Sequence, residues 1–263
     1  MDKLPQELVD EIIGSVNPNA SGGWFDLLAC SLVSRSWRKQ AQKGLFSSVA
    51  FTDQGLLQKW YRVIAQDSEL PSYVRYLYWK IPYRADFFEF ELPGSFISFS
   101  DLQYLSISRL SLQALDNATI KRIFGPLGHS LRTLEIFDLT ASPEKWCLLV
   151  SLLPHLQSLA INCVHTEEEE PVPDMDDPPS FNFAGHIGFC APSTVRFFRW
   201  IARSRPRLRG ITVAGNEIDS VVIETLNLVV KSCSATLTTI ILDPTSIRQN
   251  KGNSQLTQRV KWF

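Results

Sequence analysis

A short apolar phrase recurs along most of this 263-residue chain, and it constrains the fold more than any other feature. The phrase spans six residues and has apolar residues at its first, fourth and sixth positions. Its copies lie 25 to 29 residues apart and start at residues 74, 102, 131, 156, 181, 208 and 237, the copy at 181 being the weakest. Such even spacing indicates structural repeats, each of which buries its apolar face only against its neighbours.

Helical stretches with start and stop signals lie between these copies. Ser142-Pro143-Glu144 precedes one stretch, Pro154 follows it, and Asp219 precedes another. Each unit is therefore predicted to be a strand followed by a helix, which gives an α/β fold with a parallel sheet. The alternative is an ordinary α/β domain with parallel strands, for which we expect less even spacing. The helical stretches are GLLQKWYRVIAQ, EKWCLLVSLL, STVRFFRWIARSRP and SVVIETLNLVVKSC.

The copies at 208 and 102 carry a more specific pattern. The unit LRGITVAGNEI fits L-x-x-L-x-L-x-x-N-x-L, including Asn216, whereas the unit at 102 has Leu110 in the asparagine position. Residues 70 to 247 therefore resemble an irregular leucine-rich-repeat array. The resemblance implies a leucine-rich-repeat-like α/β solenoid over residues 49–263.

In a repeat array, the parallel strands line a concave face that offers an extended surface to a partner. Polar residues that alternate with the buried positions of each phrase should project from that face. The candidate substrate-binding residues are Tyr104, Arg132, Glu135, Gln157, Arg209 and Thr212.

The first fifty residues show a different, helical periodicity. Apolar residues at 5, 8, 9, 12, 13 and 16 form one stripe of a helix that should end by Asn17, before Pro18. A second stripe runs from Phe25 to Ala41 and includes Trp37, with the basic residues on the opposite, wet side. Helices this short cannot bury stripes this wide against each other, so the rest of the chain or another protein must cover part of them.

These residues also carry a family resemblance. Leu4-Pro5, then Glu7-Leu8, Ile12, LLACSLVSRSWRKQA and the pair at 45 and 46 resemble an F-box motif, and the whole chain resembles F-box proteins of the fungal type. The resemblance implies a short all-α module, residues 1–48, that binds a Skp-family adaptor and, through it, a cullin-based ubiquitin ligase. Its candidate adaptor-binding residues are Leu4, Pro5, Leu8, Ile12, Leu28, Leu32, Val33 and Trp37. The alternative is that these helices only cap the apolar end of the repeat array.

Two charged segments interrupt the repeats. Residues 166–179, TEEEEPVPDMDDPP, are predicted to form an extended loop insertion. Arginines crowd residues 196 to 209, where they either pair with this acidic loop or bind an acidic or phosphorylated substrate segment.

Composition argues against several other functions. A formal net charge of −1 provides no general attraction to nucleic acid, and no run of about 18 apolar residues predicts a membrane span. Five scattered cysteines suit reduced thiols in the cytoplasm or nucleus. The chain has no phosphate loop, nucleophile elbow or paired Cys/His ligands, so we expect no catalytic residues, cofactor or metal.

Overall fold

The computed structural model describes most of the chain, with gaps in the loops and at both ends. The described residues are 5–16, 21–80, 99–113, 115–165, 183–190, 199, 201–204, 206–214, 220–243 and 259–260. The acidic insertion at 166–179, Leu4, Asn216, Asp219 and part of the arginine cluster lie outside them.

Among the described residues, three helices precede the first strand, and the other helices lie between strands. A 3-10 turn, Gly125–Leu127, follows the sixth helix. The helices are α1 Gln6–Gly14, α2 Gly23–Val33, α3 Arg35–Leu45, α4 Gln54–Gln66, α5 Leu70–Tyr73, α6 Asn117–Phe124, α7 Pro143–Ser151 and α8 Ser220–Ser232.

The strands of the described residues form one sheet in which each strand pairs with the next in sequence. All pairs are parallel except the last, between β8 and β9, which is antiparallel. The prediction of an α/β region with a parallel sheet is confirmed. The strands are β1 Ser48–Phe51, β2 Tyr76–Lys80, β3 Tyr104–Ser111, β4 Thr133–Thr140, β5 Ser158–His165, β6 His186–Cys190, β7 Gly210–Ala214, β8 Thr239–Asp243 and β9 Arg259–Val260.

Two of these strands were not predicted. The strand β1 extends the sheet one strand before the first recognised copy of the phrase, since Val49 aligns with Leu77. Its four residues are too few to show the phrase. The strand β9 lies in a C-terminal stretch that follows the last copy of the phrase.

The apolar positions of the phrase meet in register across the sheet. Leu105, Leu134 and Leu159 are partners on adjacent strands and have no exposed surface. Helices α4, α6, α7 and α8 contribute residues such as Trp60 and Trp146 to the same core cluster. The helices therefore cover one face of the sheet, which we call the inner face. The opposite, outward face carries partly exposed side chains in the described strands.

Short polar residues start several of these helices. The Asp53 carboxylate accepts the N–H of Leu56 at 2.9 Å, and this bond holds the pKa of Asp53 below its usual range. Ser142 accepts the N–H of Lys145 at 3.5 Å, with Pro143 in the first turn, which confirms the predicted start of α7. Local sequence thus sets where the helices begin, and burial sets which face they pack.

The N-terminal helices join the sheet almost without a linker. Only two residues separate α3 from β1, and the carbonyl of one of them, Ser47, accepts the N–H groups of Arg75 and Tyr76 at 2.8 and 2.9 Å. Lys39 on α3 also forms an ion pair with Glu69, with 3.0 Å between Nζ and Oε2, although an ion pair this exposed stabilises the fold little. The three helices and the sheet are therefore directly connected.

Candidate protein-interaction surfaces

The second apolar stripe is divided between two helices. Ser34 has an extended backbone with φ −158° and ψ 168°, so α2 ends at Val33 and α3 begins at Arg35. Its hydroxyl accepts the N–H of Trp37 at 3.3 Å and thereby caps α3. Arg38 donates from Nε to the carbonyl of Ser31 at 3.3 Å, which holds the two helices together. The prediction of one stripe with a single dry side across residues 25 to 41 is wrong, because the axis turns at Ser34.

The three helices bury a small core on their facing sides. Val9, Ile13, Leu27 and Ala41 form it, and the Trp37 ring packs against it half-buried. Gly44 allows α3 to approach α2 closely, since a Cβ atom there would lie 2.8 Å from a Leu27 methyl group. The residues of α2 that face inward are therefore not those of the predicted stripe.

Five of the predicted adaptor-binding residues lie on the outside of these helices, where the described part of the chain leaves more than a third of each exposed. Pro5 is also exposed, Trp37 is half-buried, and Leu4 is outside the described residues. The exposed fractions are 45% for Leu8, 48% for Ile12, 38% for Leu28, 75% for Leu32 and 64% for Val33.

Two aromatic side chains at the start of α2 extend this exposed apolar surface. Trp24 is 49% exposed, Phe25 is 70% exposed, and their rings meet edge to face at 5.5 Å. Neither residue is among the predicted adaptor-binding residues, which were chosen by their match to the motif. An aromatic pair directly after glycines was the available signal.

Three of the six predicted substrate-binding residues, Tyr104, Glu135 and Thr212, lie on the outward face of the sheet. Tyr104 lies on β3 with its ring 6.1 Å from that of Tyr76 and 5.2 Å from that of Tyr78, both on β2. The Tyr104 hydroxyl donates a hydrogen bond to Glu135 on β4. Burial, and then this bond, raise the pKa of Tyr104 above its usual range. The structure therefore brings Tyr104 and Glu135 together.

Sequence reasoning missed Tyr76 and Tyr78, although VRYLYW has the same phase as the next copy of the phrase. They stand beside Tyr104 and Ser106 in the register of β2 and β3. Phe137, 38% exposed on β4, was missed as well, because it follows the phrase instead of lying within it. The N-terminal part of the outward face is therefore richer in aromatic residues than predicted.

Thr212 lies on the same face but farther along the sheet. Its hydroxyl shares a 2.7 Å hydrogen bond with Nε2 of His186 on β6. Burial lowers the pKa of His186. The ring packs over Gly210, where a Cβ atom would collide with it. Small residues such as Gly188 make this part of the face flatter than the aromatic part.

The other three candidates stand at the amino ends of strands and not on the strands themselves. Arg132, Gln157 and Arg209 each precede the first strand residue by one position. The Arg132 carbonyl accepts the N–H groups of Gln157 and Ser158 at 2.7 and 3.0 Å, a pairing that links each unit to the next. Their backbone is used in these turns, so their side chains form a polar edge beside the outward face. Arg132 is the nearest of the three to Tyr76, Tyr78 and Tyr104, which we call the tyrosine cluster, because the next residue, Thr133, is the register partner of Tyr104.

Neither a membrane span nor a metal site is found where the structure describes the chain. No described helix is long and apolar enough to cross a bilayer. No three His, Cys, Asp or Glu side chains within the described ranges are grouped as metal ligands.

Comparison with known proteins identifies the N-terminal helices. Residues 1–46 match the family model of the F-box domain. Searches of curated proteins and of solved structures returned no match for the chain. The leucine-rich-repeat resemblance and the fungal type therefore stay predictions.

Proposed function

We propose that this chain, with its F-box domain at residues 1–46, is the substrate-recognition adaptor of a Skp-cullin-F-box type ubiquitin ligase. An F-box domain implies this role, because such domains typically bind Skp-family adaptors. In this proposal the helices bind the adaptor, which connects the chain to a cullin. The α/β region, arranged as a leucine-rich-repeat-like solenoid, binds the protein substrate.

The observation that carries the proposal is the exposed apolar surface of α1 and α2. Monomeric soluble proteins rarely leave clustered leucine and isoleucine side chains in water, and large patches of this kind mark interaction sites. Leu32 and Val33 lie at the last turn of α2, and Leu8 and Ile12 lie one helical turn apart on α1. The surface is distinct from the small core, so a partner can cover it without unfolding the helices.

The alternative is a scaffold without ligase activity, in which these helices only cap the solenoid. A cap is expected to bury its apolar residues against the first repeat. Here the apolar core between the sheet and its covering helices is one cluster, and the apolar core between the three N-terminal helices is a separate one. The exposed leucines contribute to neither, which favours the adaptor-binding function.

The outward face of the sheet supports the second half of the proposal. A parallel sheet is usually covered on both faces, whereas a repeat array leaves its strand-lined face open to a partner. The sequential strand order and the partly exposed outward side chains fit the second arrangement. The chain would then perform no bond chemistry and would act in the cytoplasm or nucleus. It would raise the effective concentration of substrate near the ubiquitin-loaded enzyme.

Co-expression of the full chain with a Skp-family adaptor tests this function. We expect a stable complex, and we expect Leu32→Asp to abolish it, since a carboxylate would be buried without a partner. Leu228→Asp is the matched control, because Leu228 is 50% exposed on a helix of the α/β region. Failure of the unmodified chain to bind any Skp-family adaptor would rule out the ligase function.

Protein stability separates the two functions further. As an adaptor surface, Leu32 is solvated in the free chain, so Leu32→Asp should leave the midpoint of thermal unfolding nearly unchanged. As part of a buried cap, the same change should lower the midpoint by several degrees. Both measurements use one preparation of each variant.

A further inference from the structure

The tyrosine cluster on the outward face has a composition that suits one kind of guest. Tyr76 is 40% exposed, while Tyr78 and Tyr104 are half-buried, so their rings form a partly open aromatic surface across β2 and β3. The rings are tilted by 44° and 49° relative to Tyr104 and do not stack face to face. Tilted rings leave parts of their electron-rich faces accessible, and such faces attract cations.

Glu135 adds a negative charge at the edge of these rings. Its carboxylate is half-buried and accepts the Tyr104 hydroxyl, which fixes its orientation towards the aromatic surface. Among the described residues, the only ion pair joins Lys39 and Glu69, so no described cation neutralises Glu135. A half-buried carboxylate beside aromatic faces is complementary to a positively charged group brought by a partner.

We propose that this cluster of Tyr76, Tyr78, Tyr104 and Glu135 binds an arginine side chain of the substrate. The planar guanidinium stacks on the tyrosine rings while its fork of N–H groups donates to the Glu135 carboxylate. An arginine fits better than a lysine because the lysine ammonium is a compact, strongly hydrated charge that does not stack. The inference rests on the proposed function, in which the outward face receives the substrate.

The basic residues near the cluster set the register of the guest. Lys80 ends β2 and Arg132 precedes β4, so each lies on a different side of the tyrosine and carboxylate row. Arg132 donates from Nη1 to the His155 carbonyl at 3.2 Å, which holds it at the amino edge of the sheet. A substrate with an acidic residue beside its arginine would therefore be favoured over a purely basic one.

Selection from a phage-displayed library of random linear peptides on the full chain tests the site. We expect arginine to be enriched at one position of the selected peptides. The selected peptides are then synthesised with arginine, lysine or citrulline at that position, and their affinities are measured by fluorescence anisotropy. Citrulline keeps the shape but removes the charge, and we expect it to weaken binding by about tenfold or more.

A double-mutant cycle assigns the loss to Glu135. In Glu135→Gln the difference in affinity between the arginine and citrulline peptides should become clearly smaller, because only the attraction of the rings for the charge remains. In the control Glu144→Gln, at an exposed position of α7, the difference should persist unchanged. Tyr78→Leu should independently weaken binding of the arginine peptide, because one of the rings that stack on the guanidinium is lost. Thermal unfolding of each variant verifies that it is folded.

Several results would overturn the arginine site. These are selected peptides without arginine, an enrichment of acidic residues instead, equal binding of lysine, or an arginine preference that is undiminished in Glu135→Gln. Co-purification of the Skp-family adaptor with the same preparations separates this inference from the ligase function. A bound adaptor with no arginine selection removes the site alone, whereas arginine selection without adaptor binding removes the ligase function and leaves the site.

Discussion

Leucine and isoleucine side chains have opposite environments in the two regions of this molecule. In the α/β region, Leu134 on β4 and its partners on neighbouring strands have no exposed surface. In the F-box domain, Leu32 is 75% exposed and Ile12 is 48% exposed. Both regions are equally recognisable as apolar in the sequence. Apolar periodicity therefore shows that a face is apolar, and the structure shows whether the chain itself buries that face.

The difference follows from how much surface each region can bury. In the described part of the α/β region, the strands and the helices on their inner face form a layered core, so neighbouring elements cover one another. Among the described residues, the three short N-terminal helices enclose four buried apolar side chains, and little else can enter so small a core. The apolar residues left outside are then available to a partner at no cost to the fold.

The largest expected effect compares truncation of one leucine in each region. Leu134→Ala leaves a cavity in the middle of the sheet and should lower the free energy of unfolding by about 2–5 kcal/mol. Leu32→Ala should change it by no more than about 0.5 kcal/mol, because the side chain is already in water. Urea unfolding followed by tryptophan fluorescence measures both. Similar losses in the two variants would contradict the comparison.

A second comparison uses a glycine in each region. A Cβ atom at Gly128 would collide with the Leu152 carbonyl oxygen, which is backbone and cannot move aside, so Gly128→Ala should cost about 1–3 kcal/mol. At Gly44 the obstacle is the flexible end of Leu27, so Gly44→Ala should cost less. Gly125→Ala, where nothing lies within 4 Å, is the control for the 3-10 turn. Equal losses at Gly44 and Gly128 would mean that the small helical core is as rigid as the sheet.

Much of the α/β region was predictable because its apolar positions repeat. The copies at 102, 131 and 156 place Leu105, Leu134 and Leu159 in one register, and the structure pairs them. The strand β1 could not be predicted this way, since a four-residue strand at the edge of the pattern carries one buried position, Phe51. A repeat is visible in sequence only where several of its positions are present.

The interaction surfaces were harder to predict, for two physical reasons. A helix stripe shows which residues share a face only while the axis is straight, and the extended backbone of Ser34 ends that register. Tyr78 contacts Tyr104 diagonally and is the register partner of Ser106, so the shared phase of the two phrases does not show this contact. Leu32 was nevertheless predicted from the F-box motif and Glu135 from its position in the repeated phrase, and their binding roles stay predictions.

The turn at Ser34 provides a smaller test of the same comparison. Ser34→Ala removes the hydroxyl that accepts the Trp37 N–H and should lower the free energy of unfolding by about 1 kcal/mol. Because the cap also sets the angle between α2 and α3, the variant should bind a Skp-family adaptor more weakly than Ser232→Ala, a change at the end of α8. Isothermal titration calorimetry measures the affinities. Unchanged adaptor affinity would show that the exposed face does not depend on this turn.

The smallest expected effect concerns the pH dependence of the outward face of the sheet. Burial lowers the pKa of His186 below its ordinary value of 6.5, so the unfolded chain takes up a proton at a higher pH than the folded chain. The stability contributed by neutral His186 is therefore complete above about pH 6.5 and is lost as the pH falls through the folded pKa. We expect the unfolding temperature of the unmodified chain to fall more between neutral and mildly acidic pH than that of His186→Gln.

Glutamine can still bond to Thr212 but does not titrate, whereas His155→Gln, at an exposed position, should behave like the unmodified chain. Identical pH profiles for the unmodified chain and His186→Gln would mean that His186 is as well solvated in the folded chain as in the unfolded chain. The surface at β6 would then be as open to water as the exposed leucines of the F-box domain are.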